Sequence, residues 1–308
     1  MVQSASSIMM VRPAAFQFNV ETAESNEFQN NIDDISREEI LVKAQYEFDT
    51  MVDELRAKHI DVMVVDDTPE PIKPDAIFPN NWISMSQDGT LTIFPMKNEN
   101  RQREKRSDIV DKISSSFEVT KTIDLSHFEK EDRALEGTGS IVYDHLHRVA
   151  YACLSPRTDR GIFDEYCAQI GYEPFVFHSY DSNSKLIYHT NVVMCIGSGY
   201  VVIGLDTVSD ELEKKKLIDQ FAKTNLEVVS LTNDQLLYHF AGNMLQVQSQ
   251  DGTLYLVMSK RAFSSLTESQ IEQIEKYVHI LTVSIDIIET IGGGSARCMM
   301  AEIFLTKK

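Results

Sequence analysis

The chain has only four cysteines in 308 residues, Cys153, Cys167, Cys195 and Cys298, spaced 14, 28 and 103 apart with no C-x-x-C pair. That excludes a small disulfide framework and points to reduced thiols, hence a cytoplasmic setting. Positive charge is also short: 29 Lys and Arg stand against 47 Asp and Glu, a net charge of −18. With no basic stripe to offset it, such a surface repels phosphate backbones and anionic lipid, so neither nucleic acid nor a membrane is an expected partner. Long apolar runs are missing as well. The early run Ile8 to Val11 is too short for a signal segment, and no later segment approaches roughly 18 uninterrupted apolar residues. The zinc spacings C-x-x-C and H-E-x-x-H are absent, and His145 and His147 fall in a hairpin turn with Asp144. No metal or other cofactor is therefore expected.

What is present reads as a folded α/β protein. Hydrophobic residues at 43% and charged residues at 25% are ordinary for a globular domain, and the length supplies a core that needs no staples. Ile8 to Val11 reads as a strand, followed by an irregular stretch 14–25. From Ser36 to His59, Ile40, Leu41, Ala44, Phe48, Met51, Val52 and Leu55 keep helical spacing on one face. Ile60 to Val65 reads as a strand, and the three prolines of 66–76 forbid regular structure. A hairpin then turns at Gln87-Asp88-Gly89 and feeds a helix over Arg101 to Phe117. Further helices are expected over Arg157 to Ile170, Ser209 to Lys223 and Thr267 to Tyr277, the last with a Thr267/Gln270 capping box.

The order strand, turn, strand, helix recurs, opening each time on a small or amide-bearing stretch. Anchored on Asn81, Gly139, Asn191, Asn243 and Cys298, the intervals are 58, 52, 52 and 55 residues. Five openings at four near-equal intervals predict pseudo-five-fold ββαβ-type repeats. Units of this size bury both sheet faces only when packed side by side, so a five-bladed α/β propeller is the expected fold, with residues 1–308 as one catalytic domain. The strand openings would then converge on one central mouth.

The last opening, 290–305, is expected to be a strand in which Gly292, Gly293 and Gly294 run into Cys298. Glycines allow positive φ and close approach by a ligand, while Arg297 is expected to place positive charge beside the thiol and favour thiolate. With His189 and Glu136 at equivalent openings, a nucleophile, a proton shuttle and an orienting carboxylate would meet.

The motifs FPNN at 78–81, NRQRE at 100–104, EGTGS at 136–140, LSPRT at 154–158, HTN at 189–191 and GGGSARCM at 292–299 resemble, in order and spacing, the guanidino-group-modifying superfamily. That superfamily includes arginine deiminases, dimethylarginine dimethylaminohydrolases and amidinotransferases; the branch of citrulline-utilisation hydrolases is the most similar. The resemblance spans nearly the whole chain. It implies a five-bladed α/β propeller with a catalytic trio on Cys298, His189 and Glu136. Carboxylate-binding arginines would fall on Arg101, Arg157 and Arg297, with Arg103 as an alternative to Arg101.

Two positions depart from the arginine-processing pattern. Where deiminases place aspartates, this chain has Asn81, beside Asn80, and Asn191. A guanidinium offers only donors and a full charge, which carboxylates suit; a ureido group offers a carbonyl and an NH2, which amides suit. A neutral amino-acid substrate, citrulline, is thus placed above arginine, although Asp66, Asp67 or Asp75 would restore charge if one entered the site. The expected reaction is cysteine-dependent hydrolysis of citrulline to ornithine through a covalent thio-intermediate. An amidinotransferase, or an arginine-type deiminase, keeps the same chemistry; a non-catalytic binding propeller is the reading from another class. Oligomeric state is left open.

Overall fold

The computed structural model describes residues 1–23, 25–32 and 35–308; Glu24, within the stretch read as irregular, lies outside them. The helix Arg37–Ala57 forms as its spacing dictates, burying Ile40, Ala44, Phe48, Met51, Val52 and Leu55. Ser36 accepts from the Glu39 N–H while Glu39 caps the Ser36 N–H, closing a capping box.

Among the described residues there are fifteen strands: β1 Ser7–Arg12, β2 Asp61–Asp66, β3 Ile83–Met85, β4 Thr90–Ile93, β5 Lys121–Asp124, β6 Ile141–Asp144, β7 Val149–Cys153, β8 Glu173–Phe177, β9 Met194–Gly197, β10 Tyr200–Ile203, β11 Glu227–Ser230, β12 Leu245–Gln248, β13 Leu254–Ser259, β14 His279–Val283 and β15 Ala301–Ile303. One pairing pattern recurs. β3–β4, β6–β7, β9–β10, β12–β13 and β15–β1 are antiparallel, and the second member of each pair runs parallel to the next strand in sequence. A helix makes each parallel crossover, as a parallel connection requires: Arg37–Ala57 leads into β2, Ser107–Ser116 into β5, Arg160–Ile170 into β8, Glu211–Lys223 into β11 and Glu268–Glu275 into β14.

The expected five-bladed α/β propeller is corrected by this topology. β15 pairs with β3 through Ile303 and Met85, so two units fuse into one six-stranded sheet, β2-β1-β15-β3-β4-β5, beside three three-stranded sheets. The fold is α/β with mixed sheets. Two local expectations change too. The helix read over Arg101 to Phe117 is two helices, Glu99–Gln102 and Ser107–Ser116. The stretch 290–305 is the end of helix Asp286–Gly292, a 3-10 turn at Ala296–Met299 and only then the short β15.

The strand starts are what position the site. Short helical turns at Pro79–Asn81, Gly137–Ser140, Thr190–Val193 and Ala296–Met299 immediately or closely precede β3, β6, β9 and β15. The first packs against both the second and the last, and the second also against the third.

Candidate active site

These turns bring distant residues together in the interior. Glu136 Oε2 lies 2.8 Å from His189 Nε2, and Glu136 Oε1 accepts from the Lys97 N–H at 3.0 Å. Glu136, His189 and Cys298 are 0%, 2% and 3% exposed. Burial alone would raise the Glu136 pKa, but the Arg157 cation, the His189 bond and Arg101 outweigh it and hold the carboxyl at about 2. Burial pushes His189 down to about 4 against the pull of Glu136. At neutral pH an ionised carboxylate therefore faces a neutral imidazole. Because a carboxylate only accepts, the imidazole proton is assigned to Nε2, which leaves Nδ1 ready to take one. Gly139 fits between: a Cβ there would stand 2.7 Å from His189 Nδ1 and 2.3 Å from Asn81 Nδ2.

Cys298 sits on the turn Ala296–Met299, its N–H donating to Ser295 O at 2.9 Å. Asn191 Nδ2 is 3.5 Å from the sulfur and Asn243 Nδ2 is 3.3 Å from it. Asn81 Oδ1 accepts from Arg101 Nη1 at 2.8 Å. Among the described residues, Asn81 Nδ2, Asn191 Oδ1, both side-chain polar atoms of Asn80 and Asp75 Oδ1 have no hydrogen-bond partner. Each orphan of this kind costs roughly 1–3 kcal/mol, a cost that a polar ligand seated among them would remove.

The three arginines part ways. Arg101 grips Glu104 through Nε at 2.8 Å and Nη2 at 2.9 Å and also donates to Phe78 O at 3.3 Å, so it braces Asn81 and has little left for a ligand. Arg157 Nη1 lies 3.7 Å from Glu136 Oε2, and the guanidinium lies 4.8 Å from the centre of the Tyr188 ring. Arg297 turns away: Nη1 donates to Met300 O at 2.9 Å and Nη2 to Glu302 at 3.1 Å. Arg103 is partly exposed and paired with Glu99. Of the acids weighed in the proline-rich stretch, Asp75 is the one that enters. It is 3% exposed, accepts from Asn19 Nδ2 at 2.7 Å, and lies 3.8 Å from Arg101 Nε; burial raises its pKa against the pull of Arg101.

Sequence reasoning missed the cover. The described residues of the stretch read as irregular, with those just after it, fold over the site, Asn19, Thr22 and Asn26 being buried. Asn26 Nδ2 donates to Gly292 O at 3.3 Å and Gly293 O at 3.4 Å, and Arg157 Nη2 donates to Ser25 Oγ at 2.6 Å and Thr22 O at 3.3 Å. The glycine run is thus roofed over: a Cβ on Gly293, at φ +62°, would strike Asn26 and Gln29 at 2.7 Å. Outside lies a cavity of about 460 Å3 lined by Ser25, Phe28, Lys97, Arg157 and Tyr188 among others. The signal was the density of amides and hydroxyls between Asn19 and Asn31. Glu104 was hidden in the charged run 101–106. Among the described residues no group of His, Cys, Asp and Glu is arranged to hold a metal ion, and no helix is long and apolar enough to cross a membrane.

The family described as N,N-dimethylarginine dimethylhydrolase, eukaryotic, matches residues 12–305. No curated protein matches the chain. Among solved structures, the unliganded arginine dihydrolase ArgZ, from the ornithine-ammonia cycle in cyanobacteria, is 16% identical with a TM-score of 0.72, over 96% of this chain and 40% of that one. This chain thus spans well under half of that protein. The N-terminal domain of ArgZ, covalently bound to a reaction intermediate, is also 16% identical, with a TM-score of 0.72 over 97% of this chain and 99% of that one. A dimethylarginine dimethylaminohydrolase adduct with S-methyl-L-thiocitrulline is 13% identical, with a TM-score of 0.64 over 96% of this chain and 99% of that one. At these identities the likeness is one of fold.

Proposed function

Since the chain belongs to the N,N-dimethylarginine dimethylhydrolase family, and with it to the guanidino-group-modifying superfamily, we propose that residues 1–308 form one catalytic domain. It hydrolyses the ureido carbon of a citrulline-like amino acid, using Cys298, His189 and Glu136. The observation that carries this reading is the pair of unpaired amide atoms. Arg101 occupies Asn81 Oδ1 and the sulfur faces Asn191 Nδ2, which leaves one donor, Asn81 Nδ2, and one acceptor, Asn191 Oδ1. A ureido group has the complementary carbonyl and NH2.

In the reaction, His189 takes the Cys298 proton, the thiolate adds to the ureido carbon, and a C–N bond breaks as the imidazolium returns that proton to the departing amine. Water, activated by His189, then cleaves the thio-intermediate. Citrulline and one water give ornithine, ammonia and carbon dioxide. Glu136 keeps His189 oriented, and Arg157 is the guanidinium placed to meet a substrate carboxylate. We expect the protein to act in the cytoplasm.

A second reading takes arginine through the same trio, because the carboxylates of Asp75 and Glu136 can balance a guanidinium. Release of ammonia and ornithine from citrulline and from arginine separates the two readings. Turnover of arginine with none of citrulline would overturn the ureido assignment, and ornithine formed together with an amidinated form of an added amine would indicate amidino transfer.

A further inference from the structure

Asn243 has no place in the chemistry above, yet it is 0% exposed and touches the sulfur with both polar atoms of its side chain. Its Nδ2 lies 3.3 Å from Cys298 Sγ and its Oδ1 lies 3.6 Å away. The orientation of the amide is fixed independently of the sulfur. Oδ1 accepts from the Arg297 N–H at 3.1 Å, and Nδ2 donates to Asn191 O at 3.0 Å, so the oxygen and nitrogen cannot be exchanged without losing both bonds. The second N–H of Nδ2 is then directed at the sulfur. The backbone is held as firmly: Gly242 packs so tightly that a Cβ would stand 2.1 Å from Val192 O, which fixes residue 243 against the turn that carries Asn191.

A neutral thiol can donate to Oδ1. A thiolate can only accept, and its partner is then Nδ2, in a charge-assisted bond stronger than the one it replaces. We propose that Asn243 is a catalytic residue whose Nδ2 donates the hydrogen bond that stabilises Cys298 as the attacking thiolate, with Asn191 in a weaker supporting role. This rests on Cys298 being the nucleophile, though not on the identity of the substrate. The need is physical: burial raises the thiol pKa, and the Asn243 bond is the foremost influence pulling it back, ahead of the Ser295 contact, Arg297 and Asn191. The charged and titratable groups nearby are Arg297 on the same turn, whose guanidinium points away, Tyr188, and the His189–Glu136 pair on adjoining turns.

The test is a thiolate titration of the whole protein, following ultraviolet absorbance against pH and subtracting the same curve for Cys298→Ser. Removing a hydrogen bond to a charged group should raise the Cys298 midpoint by about one to two pH units in Asn243→Ala. Asn243→Asp, which keeps the shape and the acceptor for Arg297 but sets a carboxylate at the sulfur, should raise it further. Asn191→Ala should raise it less than Asn243→Ala. The alkaline-shifted midpoint should reappear in the pH profile of kcat/KM. A midpoint unchanged or lowered in Asn243→Asp overturns the proposal, as does a larger shift in Asn191→Ala than in Asn243→Ala. If Asn243→Ala does not fold, the near-isosteric Asp variant decides. The titration needs no substrate, so a failed citrulline assignment leaves its outcome intact, while an unshifted midpoint leaves the substrate question untouched.

Discussion

The two ends of the strands that start at the site hold the same kinds of residue and wire them differently. At the site end are His189 and Glu136 beside the strand starts, with Arg101, Glu104 and Arg157 from the loops after β4 and β7. Further along lie His145 and Glu302, joined by the side chain of Arg297, around a void of about 30 Å3. Burial lowers both histidines to about 4. Yet His189 bonds a carboxylate and adjoins turns whose amide atoms lack partners, whereas His145 Nδ1 meets the Tyr172 hydroxyl at 2.8 Å and the nearby Arg297 and Glu302 satisfy each other. A perturbed histidine is therefore not what marks a site; unmatched polar atoms around an ionised carboxylate and a thiol are.

That contrast can be broken first by charge removal. Glu136→Gln should lower kcat/KM on the substrate by about 10^3-fold or more, since an oriented acid–base partner acts as a unit with the nucleophile. Glu302→Gln should leave it within a few-fold. Steady-state kinetics on both variants decides, and equal losses would erase the distinction. Next comes bracing. Glu104→Gln takes the nearest carboxylate from the buried Arg101 cation and leaves Asp75 at 3.8 Å, and urea unfolding should report a loss of up to roughly 3–5 kcal/mol, against less for the single contact between Arg297 and Glu302.

The smallest and sharpest test is the sign of the pH dependence. Glu136 is held at about 2, below its ordinary 4.5, so its contribution to stability is present above about pH 4.5 and lost as pH falls towards 2. It amounts to about 3 kcal/mol. Burial raises the Glu302 carboxyl, with Arg297 opposing; its contribution is complete below 4.5 and lost as pH rises through the folded-state value. Unfolding midpoints measured from pH 2 to 7 should therefore show Glu136→Gln flattening the acid limb and Glu302→Gln removing a decline on the other side. Slopes of the same sign would refute the assigned wiring.

Much of the scaffold was legible. The helix Arg37–Ala57 announced itself through spacing and a capping box, and Thr267 caps its helix with Gln270 as the sequence indicates. The helix read from Arg101 broke because Asn100 and Arg101 turn inward to polar partners, an arrangement that periodicity cannot register. Arg297 was expected beside the thiol because it precedes Cys298. A 3-10 turn has three residues per turn, so neighbours diverge by about 120°, and the two side chains face opposite ends. The union of two units by a single β15–β3 pairing leaves no mark in either strand, and so the propeller expectation failed. Lys73 and Asp67, 3.3 Å apart and both buried, lie in the proline-rich stretch that reads only as irregular.

The roof over the site sets a clock. With the sulfur, imidazole and carboxylate buried, the reaction proposed above needs a way in, and a substrate arriving from the outer cavity would have to wait for the Asn26–glycine and Arg157–Ser25 bonds to release. Turnover can run no faster than that breathing. On the proposed mechanism the thio-intermediate would meet, between openings, only the water trapped with it, and the segment covering residues 292–294 would thereby govern when hydrolysis is possible.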